Sequence, residues 1–519
     1  MKKLKSMLLA GGALVILASV AQAADLPTRK APVVSEKPNC FASFRTWIHS
    51  TPTDCPLSYW GVTLYGQVDV GGGWESNKAR FNKANPNGVA ELVSKQSHGA
   101  GWQIVPNGLN QSNVGIKWKE QIVPDWFFVG DVKFGFDPYS LQFANGERSL
   151  VQNTTTPQYF QNYNRDSSFA YGPIDTRAYA GFQNKMFGTL TYGRQFAFSN
   201  DIANSLYDPY GGAYAFSLIG NSSTFGGGLG NTELARYNNS LKYIYADHDF
   251  RLGAMTQVGG WSAGNNAQFA FEVTGGFDWN GFSVDAVYEH AKDAVALSTF
   301  NTGTFGTPFG VNQVSPTLLK ATISNEDSFQ VGAKYKWDHV TLYGGYEYQR
   351  LTNPSIGAND LPLLPTIRSF IGGAQALYGA TGDNTQGNAF NAPKQINLFW
   401  AGAKYALLSN VDLIGAYYYV HQNDFSAGTA TCAANVVPVA AIGAQAGAAA
   451  AAAGYTPQGS NSSKCSGNEY AVSGAVDWKP VKRVDLYGGA MFSKVNGGLA
   501  NGFFVNSNLA VTGGVRVSF

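Results

Sequence analysis

Apolar and polar residues alternate with a period of two through segment after segment of this chain. The run Val62-Thr63-Leu64-Tyr65-Gly66-Gln67-Val68-Asp69-Val70 puts Val62, Leu64, Val68 and Val70 on one face and Thr63, Tyr65, Gln67 and Asp69 on the other. The final segment repeats the pattern, with Val511, Val515, Val517 and Phe519 set against Thr512, Arg516 and Ser518. A period of two is the geometry of a strand, because successive side chains point to opposite faces. Two-faced strands can also build a soluble sandwich. Three features favour a barrel in a membrane. Many segments reach the ten or so residues that a tilted strand needs to cross a bilayer. Their ends are crowded with Tyr, Trp and Phe, as at a membrane interface. And no apolar layer is available for a second sheet.

Strands are expected near 61–75, 111–122, 126–137, 171–184, 187–195, 235–246, 249–259, 268–279, 282–293, 325–337, 339–351, 394–406, 410–423, 468–478, 483–495 and 508–519. The total, sixteen, is even, as a closed antiparallel barrel requires. Closure matters because an open edge would leave unpaired N–H and C=O groups in lipid, at several kcal/mol each. The expected class is therefore all-β, a transmembrane antiparallel barrel over residues 61–519. The connections alternate in length. Short ones fall at Val123-Pro124-Asp125, Asn184–Phe187, Asp247-His248, Asn280-Gly281, Asp338, Leu407–Asn410 and Lys479–Lys482. Long ones fill 76–110, 138–170, 196–234, 294–324, 352–393 and 424–467, with shorter ones at 260–267 and 496–507. Short turns on the periplasmic side and long loops outside is the asymmetry of bacterial outer-membrane barrels.

The N-terminus suits export. Lys2, Lys3 and Lys5 precede an apolar stretch from Met7 to Val20, and Ala21-Gln22-Ala23 offers a small-x-small cleavage site. Residues 1–23 read as a signal peptide, and 24–60 as a periplasmic lead-in with a short helix within Phe41–Ser50. Without the three leader lysines, 33 basic residues face 34 acidic ones. No basic excess points to nucleic acid. Charged residues make up only 13% of the chain against 14% aromatics, well below the usual charge of a soluble protein. Cys40 and Cys55 lie close together, and Cys432 and Cys465 flank one long loop. Two local disulfides are the natural pairing, although four cysteines allow three connectivities. No cysteine spacing has the CxxC form of a metal site. The Ala-rich run Ala440–Gly454 is broken by Gly443 and Gly447 and reads as a loop helix rather than a span.

Several short motifs follow one another along this pattern: Cys40-Phe41-Ala42-Ser43-Phe44 with Asp54-Cys55-Pro56-Leu57-Ser58-Tyr59, Thr63-Leu64-Tyr65-Gly66, Gln111-Ser112-Asn113-Val114-Gly115-Ile116-Lys117, Phe187-Gly188-Thr189-Leu190-Thr191-Tyr192-Gly193-Arg194-Gln195, Asp208-Pro209-Tyr210-Gly211-Gly212-Ala213-Tyr214, Ala235-Arg236-Tyr237-Asn238-Asn239-Ser240 and the terminal Phe519. In this order and spacing the chain resembles the Gram-negative general porins, and among them the alphaproteobacterial, rhizobial type. The resemblance implies a homotrimer of sixteen-stranded barrels in the outer membrane, in contact with lipid and lipopolysaccharide. It also implies passive diffusion of small hydrophilic solutes and ions, and a third external loop folded into the pore, here Phe196–Leu234. No cofactor is implied.

Alternation turns Asp69, Asn113, Lys117, Lys119, Asp131, Lys133, Arg177 and Arg236 toward the lumen, the parity that spares each charge a cost of ~2–4 kcal/mol in lipid. Similar porins set a basic wall against acids on the inward loop. Arg177 and Arg236 match two rungs of that wall, Lys117 and Lys133 flank it, and Asp201, Asp208 and Glu233 are the loop acids. Two further rungs fall on Gln67 and Asn113, which are uncharged, so only a weak lean toward anions is expected. None of the six histidines lies in a recognisable nucleophile motif, and no phosphate-cradling GxxxxGK[ST] occurs. An enzyme is therefore not expected. The competing readings are a substrate-selective channel, for instance for sugars, with Tyr207, Tyr210 and Tyr214 in the pore, and a barrel without a channel acting as an adhesin or anchor.

Overall fold

The computed structural model describes residues 40–78, 91–93, 97, 99–139, 141, 176–219, 236–263, 265, 267–298, 319–355, 375–378, 392–425, 462–500 and 505–519. A short helix, α1 (Phe44–His49), precedes strands β1 (Leu57–Tyr59), β2 (Val62–Glu75), β3 (Gly101–Pro106), β4 (Asn113–Val123), β5 (Trp126–Gly135), β6 (Arg177–Asn184), β7 (Gly188–Phe196), β8 (Arg236–Ala246), β9 (Phe250–Gln257) and β10 (Phe269–Trp279). Then come β11 (Phe282–Ser298), β12 (Leu319–Trp337), β13 (Val340–Thr352), β14 (Gln375–Tyr378), β15 (Lys394–Leu408), β16 (Val411–Gln422), β17 (Gly467–Val481), β18 (Val484–Gly497) and β19 (Ser507–Ser518). Sixteen of these close an antiparallel ring in which each strand pairs with the next and β19 returns to β2. The other three are short: β1 extends the seam below Phe519, β3 covers the outer half of β2, and β14 pairs with the outer end of β12.

The strand expectations hold for the sixteen staves, with local differences, and β1 and β14 fall where a lead-in and a long loop were expected. Residues 101–106, expected within a long loop, form β3, so the wall beside β2 is made by β3 above and β4 below. Strands β11 and β12 outrun their expected ends because a bulge between Ala291 and Ala294 breaks the alternation there. The expected helix within 41–50 is confined to Phe44–His49, capped by the Ser43 hydroxyl, which accepts from the Thr46 N–H at 3.1 Å. The leader, residues 24–39, the Ala-rich run, Cys432 and Glu233 lie outside the described residues.

Turn chemistry explains the short ends. Asn280 and Gly281 both take positive φ, 46° and 81°, as a two-residue hairpin needs to match strand twist. Asp125 and Asp338 supply the same left-handed conformation at their turns. Around the outer wall Val62, Leu64, Ile116, Phe182, Leu190 and Val273 are exposed. Trp60, Trp126, Trp279, Trp337 and Trp478 crowd the short-turn end as an aromatic belt. Asp69 is buried inside, as alternation requires.

At the short-turn end the lead-in is tied down. Cys40 and Cys55 are disulfide-bonded, with Cα atoms 5.4 Å apart. Arg483, in the β17–β18 turn and only 1% exposed, donates to the carbonyls of Trp47 at 2.9 Å, Thr51 at 3.1 Å and Cys55 at 2.7 Å. Its guanidinium also lies 4.2 Å from the Trp47 ring centroid. Cys465 is disulfide-bonded as well.

Candidate pore constriction

The third long connection enters the barrel. Leaving β7 at Phe196, the chain makes a wide-turn helix, Ser199–Asn204, and continues inside to Ile219. Ala197, Phe198, Tyr207, Asp208, Ala213, Ala215, Phe216, Leu218 and Ile219 are all buried. Burying loop backbone against a wall requires partners for its polar groups, and the wall supplies them in sequence. The Glu272 carboxylate on β10 accepts from the N–H groups of Phe198 at 2.5 Å and Ser199 at 3.2 Å. The Tyr207 hydroxyl donates to Asp285 on β11 and sits 3.0 Å from Ser283. Asp285 is in turn held by Arg251 at 2.8 Å. Trp400 on β15 donates its indole N–H to the Tyr207 carbonyl at 2.9 Å. Further along, Asp208 accepts from Tyr418 on β16 at 2.5 Å, and Tyr210 donates to the Ile414 carbonyl at 3.1 Å. Phe216 meets the Tyr487 ring on β18 edge-on at 6.2 Å. Ala215 closes the crossing by donating to the Gly108 carbonyl at 2.9 Å.

Glycine is required where the loop presses on the wall. A Cβ at Gly332 on β12 would stand 2.6 Å from the Tyr207 side chain. Gly402 on β15 makes the same allowance for Pro209.

The wall the loop leaves uncovered carries the basic residues. Arg177 on β6 pairs with Asp131 on β5 at 3.1 Å and donates to the Tyr65 hydroxyl at 3.3 Å, while Tyr65 donates to Asp131 at 2.5 Å. Lys117 on β4 lies over the Tyr65 ring at 5.3 Å. Lys133 is the cross-strand partner of Arg177. Arg236, at the start of β8, is the cross-strand partner of Phe196. The Phe196 ring is shared: the guanidinium of Arg177 lies 5.6 Å from its centroid and that of Arg236 5.1 Å. The described loop acids have other partners. Asp201 forms an ion pair with Lys242 on β8 at 2.7 Å, on the side where the loop enters. Asp208 is buried, and its other oxygen accepts from the Gly212 N–H at 2.9 Å. Burial pushes its carboxyl up to about 6, against the lowering effect of its hydrogen-bond donors. Asp208 is held against β16, on the far side of the ring from β6, which carries Arg177. Sequence reasoning did not single out Glu272 or Asp285. Alternation marks the two acids as inward-facing, but nothing local marks them as loop partners.

The Gram-negative porin family model matches residues 10–498. The chain belongs to the Gram-negative porins. No curated protein sequence matches it. Among solved structures it is similar to the anion-selective porin from Comamonas acidovorans, at 13% identity, covering 88% of this chain and 99% of that one, with a TM-score of 0.50. It is also similar to OmpT, an outer-membrane protein of Vibrio cholerae in its trimer form, at 13% identity, 88% and 99% coverage and a TM-score of 0.48. With the closed sixteen-stranded ring, family membership makes this an outer-membrane porin, a transport channel of the Gram-negative envelope. Family and fold point to a channel rather than an enzyme.

Proposed function

We propose that this porin passes small hydrophilic solutes and ions passively through a constriction between the loop 196–234 and the wall bearing Arg177 and Arg236, with Lys117 and Lys133 beside them. The observation that carries the reading is the convergence of Arg177 and Arg236 on the one Phe196 ring, at the root of the loop. It supports a local cationic patch where the lumen is narrowed. Filtering there is by size and charge, with no substrate chemistry. Arg177 is partly neutralised by Asp131 and Asp201 by Lys242, so the net field is modest and anions are favoured weakly. Glu233 completes the proposed set of loop acids, and no catalytic role is assigned to any of them. We further propose export by way of a leader ending at Ala23, and assembly as a homotrimer among lipid and lipopolysaccharide. The outer face at the seam supports the trimer. There Val62, Leu64, Leu509 and Val511 are exposed, and Gly474 nearby has open space where a Cβ would stand.

The test is the reversal potential across a planar bilayer under a salt gradient. Wild type is expected to show a small anion preference, and Arg177→Ala with Arg236→Ala a shift toward cations. An unmoved reversal potential would place both arginines away from the narrowest point. Saturable block by one sugar would instead favour a substrate-selective channel, the reading in which Tyr214 lines the path.

A further inference from the structure

The first external loop brings a carboxylate inside the barrel. Glu91 is 1% exposed, and neither of its carboxylate oxygens has a hydrogen-bond partner among the described residues. Its neighbours Leu92 and Val93 join the buried apolar cluster that includes Met491 and Val495 of β18. The Val93 N–H donates to the Ser493 hydroxyl at 2.8 Å, which pins this short segment to the wall. Beside it, at the outer end of β2, Glu75 is also 1% exposed, and its Oε1 has no partner among the described residues.

Asn508 on β19 joins the two. Its Oδ1 accepts from the Asn77 N–H at 2.9 Å, which fixes the amide orientation. Its Nδ2 therefore faces inward and donates to Glu75 Oε2 at 2.6 Å and to the Glu91 carbonyl at 3.0 Å. Thr512, four residues along β19 from Asn508 on the same face and 3% exposed, sets its hydroxyl beside the Glu91 carboxylate but outside hydrogen-bond geometry, so this oxygen too has no partner among the described residues. Lys78 attracts Glu75 from nearby, but its ammonium rests on the Trp102 carbonyl at 3.4 Å. Among the described residues this is the one cation beside the pair, and it cannot balance two buried carboxylates. Unpaired buried charge is among the most costly arrangements a fold can hold. An all-oxygen set of two carboxylates and a hydroxyl is the donor chemistry of a hard divalent cation, and its irregular spacing suits calcium better than magnesium.

We propose that Glu75, Glu91 and Thr512 form a calcium site that fastens the first external loop to the inner wall at β2 and β19. The site is separate from the constriction, and it makes the seating of the pore mouth depend on external calcium.

The test uses the full mature chain folded in detergent without lipopolysaccharide, titrated with calcium chloride and, in parallel, magnesium chloride. Calorimetry and thermal melting are the readouts. The expected result is one calcium ion bound per chain with a raised melting temperature, and weaker binding of magnesium. Glu91→Gln and Glu75→Gln should each weaken calcium binding by about tenfold or more while leaving single-channel conductance unchanged, and Thr512→Val should weaken it less. If one Gln variant fails to fold, the other and Thr512→Val still decide the matter. Calcium binding equal in wild type and all folded variants would overturn the proposal. So would a Glu91→Gln protein whose melting temperature rises with no calcium dependence in either form, because that outcome assigns the pair a shared proton in place of a metal ion.

Discussion

The two halves of the inner wall are treated differently. From β10 round to β18 the wall is covered by the inward loop, and its polar groups are turned to structural use: Glu272, Asp285 and Tyr418 each hold a loop group. From β4 to β8 the loop touches the wall mainly at its root, where Lys242 pairs with Asp201, and the remaining cations cluster round Tyr65 and Phe196. The same kinds of inward-facing side chains therefore serve adhesion on one side and filtering on the other. What separates them is burial: Asp285 and Glu272 are buried beneath the loop, whereas Arg177, Lys117 and Arg236 keep part of their surface open.

The largest expected effect comes from removing the cover. Deleting residues 200–230 should raise single-channel conductance about twofold or more if, as proposed, this loop narrows the lumen. Unchanged conductance would mean that the passage is narrowed elsewhere. A milder form of the same break is Glu272→Ala. It leaves the Phe198 and Ser199 N–H groups without their acceptor, at a cost of ~1–3 kcal/mol per buried donor. Noisier, larger openings should follow in current recordings, and an unaltered noise spectrum would show that the loop holds without this anchor.

The open half should respond in selectivity rather than in size. Arg177→Ala with Arg236→Ala should move the reversal potential toward cations by on the order of 10 mV in a tenfold gradient, with conductance changed less than by the loop deletion. If conductance changed as much as it does on loop deletion, the two halves would not be functionally distinct.

The smallest effect sharpens the comparison through pH. The folded Asp208 carboxyl stands at about 6 against an ordinary 3.8. Between those values the seated loop binds a proton that the released loop does not. Seating is therefore firmest below this window and weakens as pH rises through about 6. Open-channel noise should rise modestly from pH 5 to pH 7 in wild type, and Asp208→Asn should flatten that rise. An identical pH profile in the variant would remove Asp208 from the account.

Much of the fold was readable because a barrel wall imposes strict alternation on every strand that crosses it. The sequence failed to reveal structure where that constraint lapses. The bulge at Ala291 to Ala294 shifts the phase, so the outer ends of β11 and β12 were missed. Strand β3 was missed because the stave it shares with β4 is interrupted at 107–112, where Asn107 takes a φ of 63° and Asp69 accepts from the Leu109 and Asn110 N–H groups at 2.7 and 2.9 Å. The inward direction of Arg177 and Lys117 also followed from alternation. Which inward acids would be covered did not, because the choice depends on a crossing loop that meets Glu272, Tyr418 and Tyr487 far away in sequence.

The seam carries a consequence for how the molecule is made. Phe519, just past β19, exchanges backbone hydrogen bonds with Gly66 in the first stave, at 2.9 and 3.1 Å. The edge of β2 therefore waits for its neighbour until β19 has been made and exported. Every other stave can pair with one close to it in sequence, so this contact has the greatest chain separation in the ring and the slowest kind of closure. During that wait the unpaired edge cannot sit exposed in hydrocarbon without a cost of several kcal/mol per free group. Assembly must shield the edge or deliver all sixteen staves together, so a chain that stops short of Phe519 loses more than its length: it loses the step that makes the wall continuous.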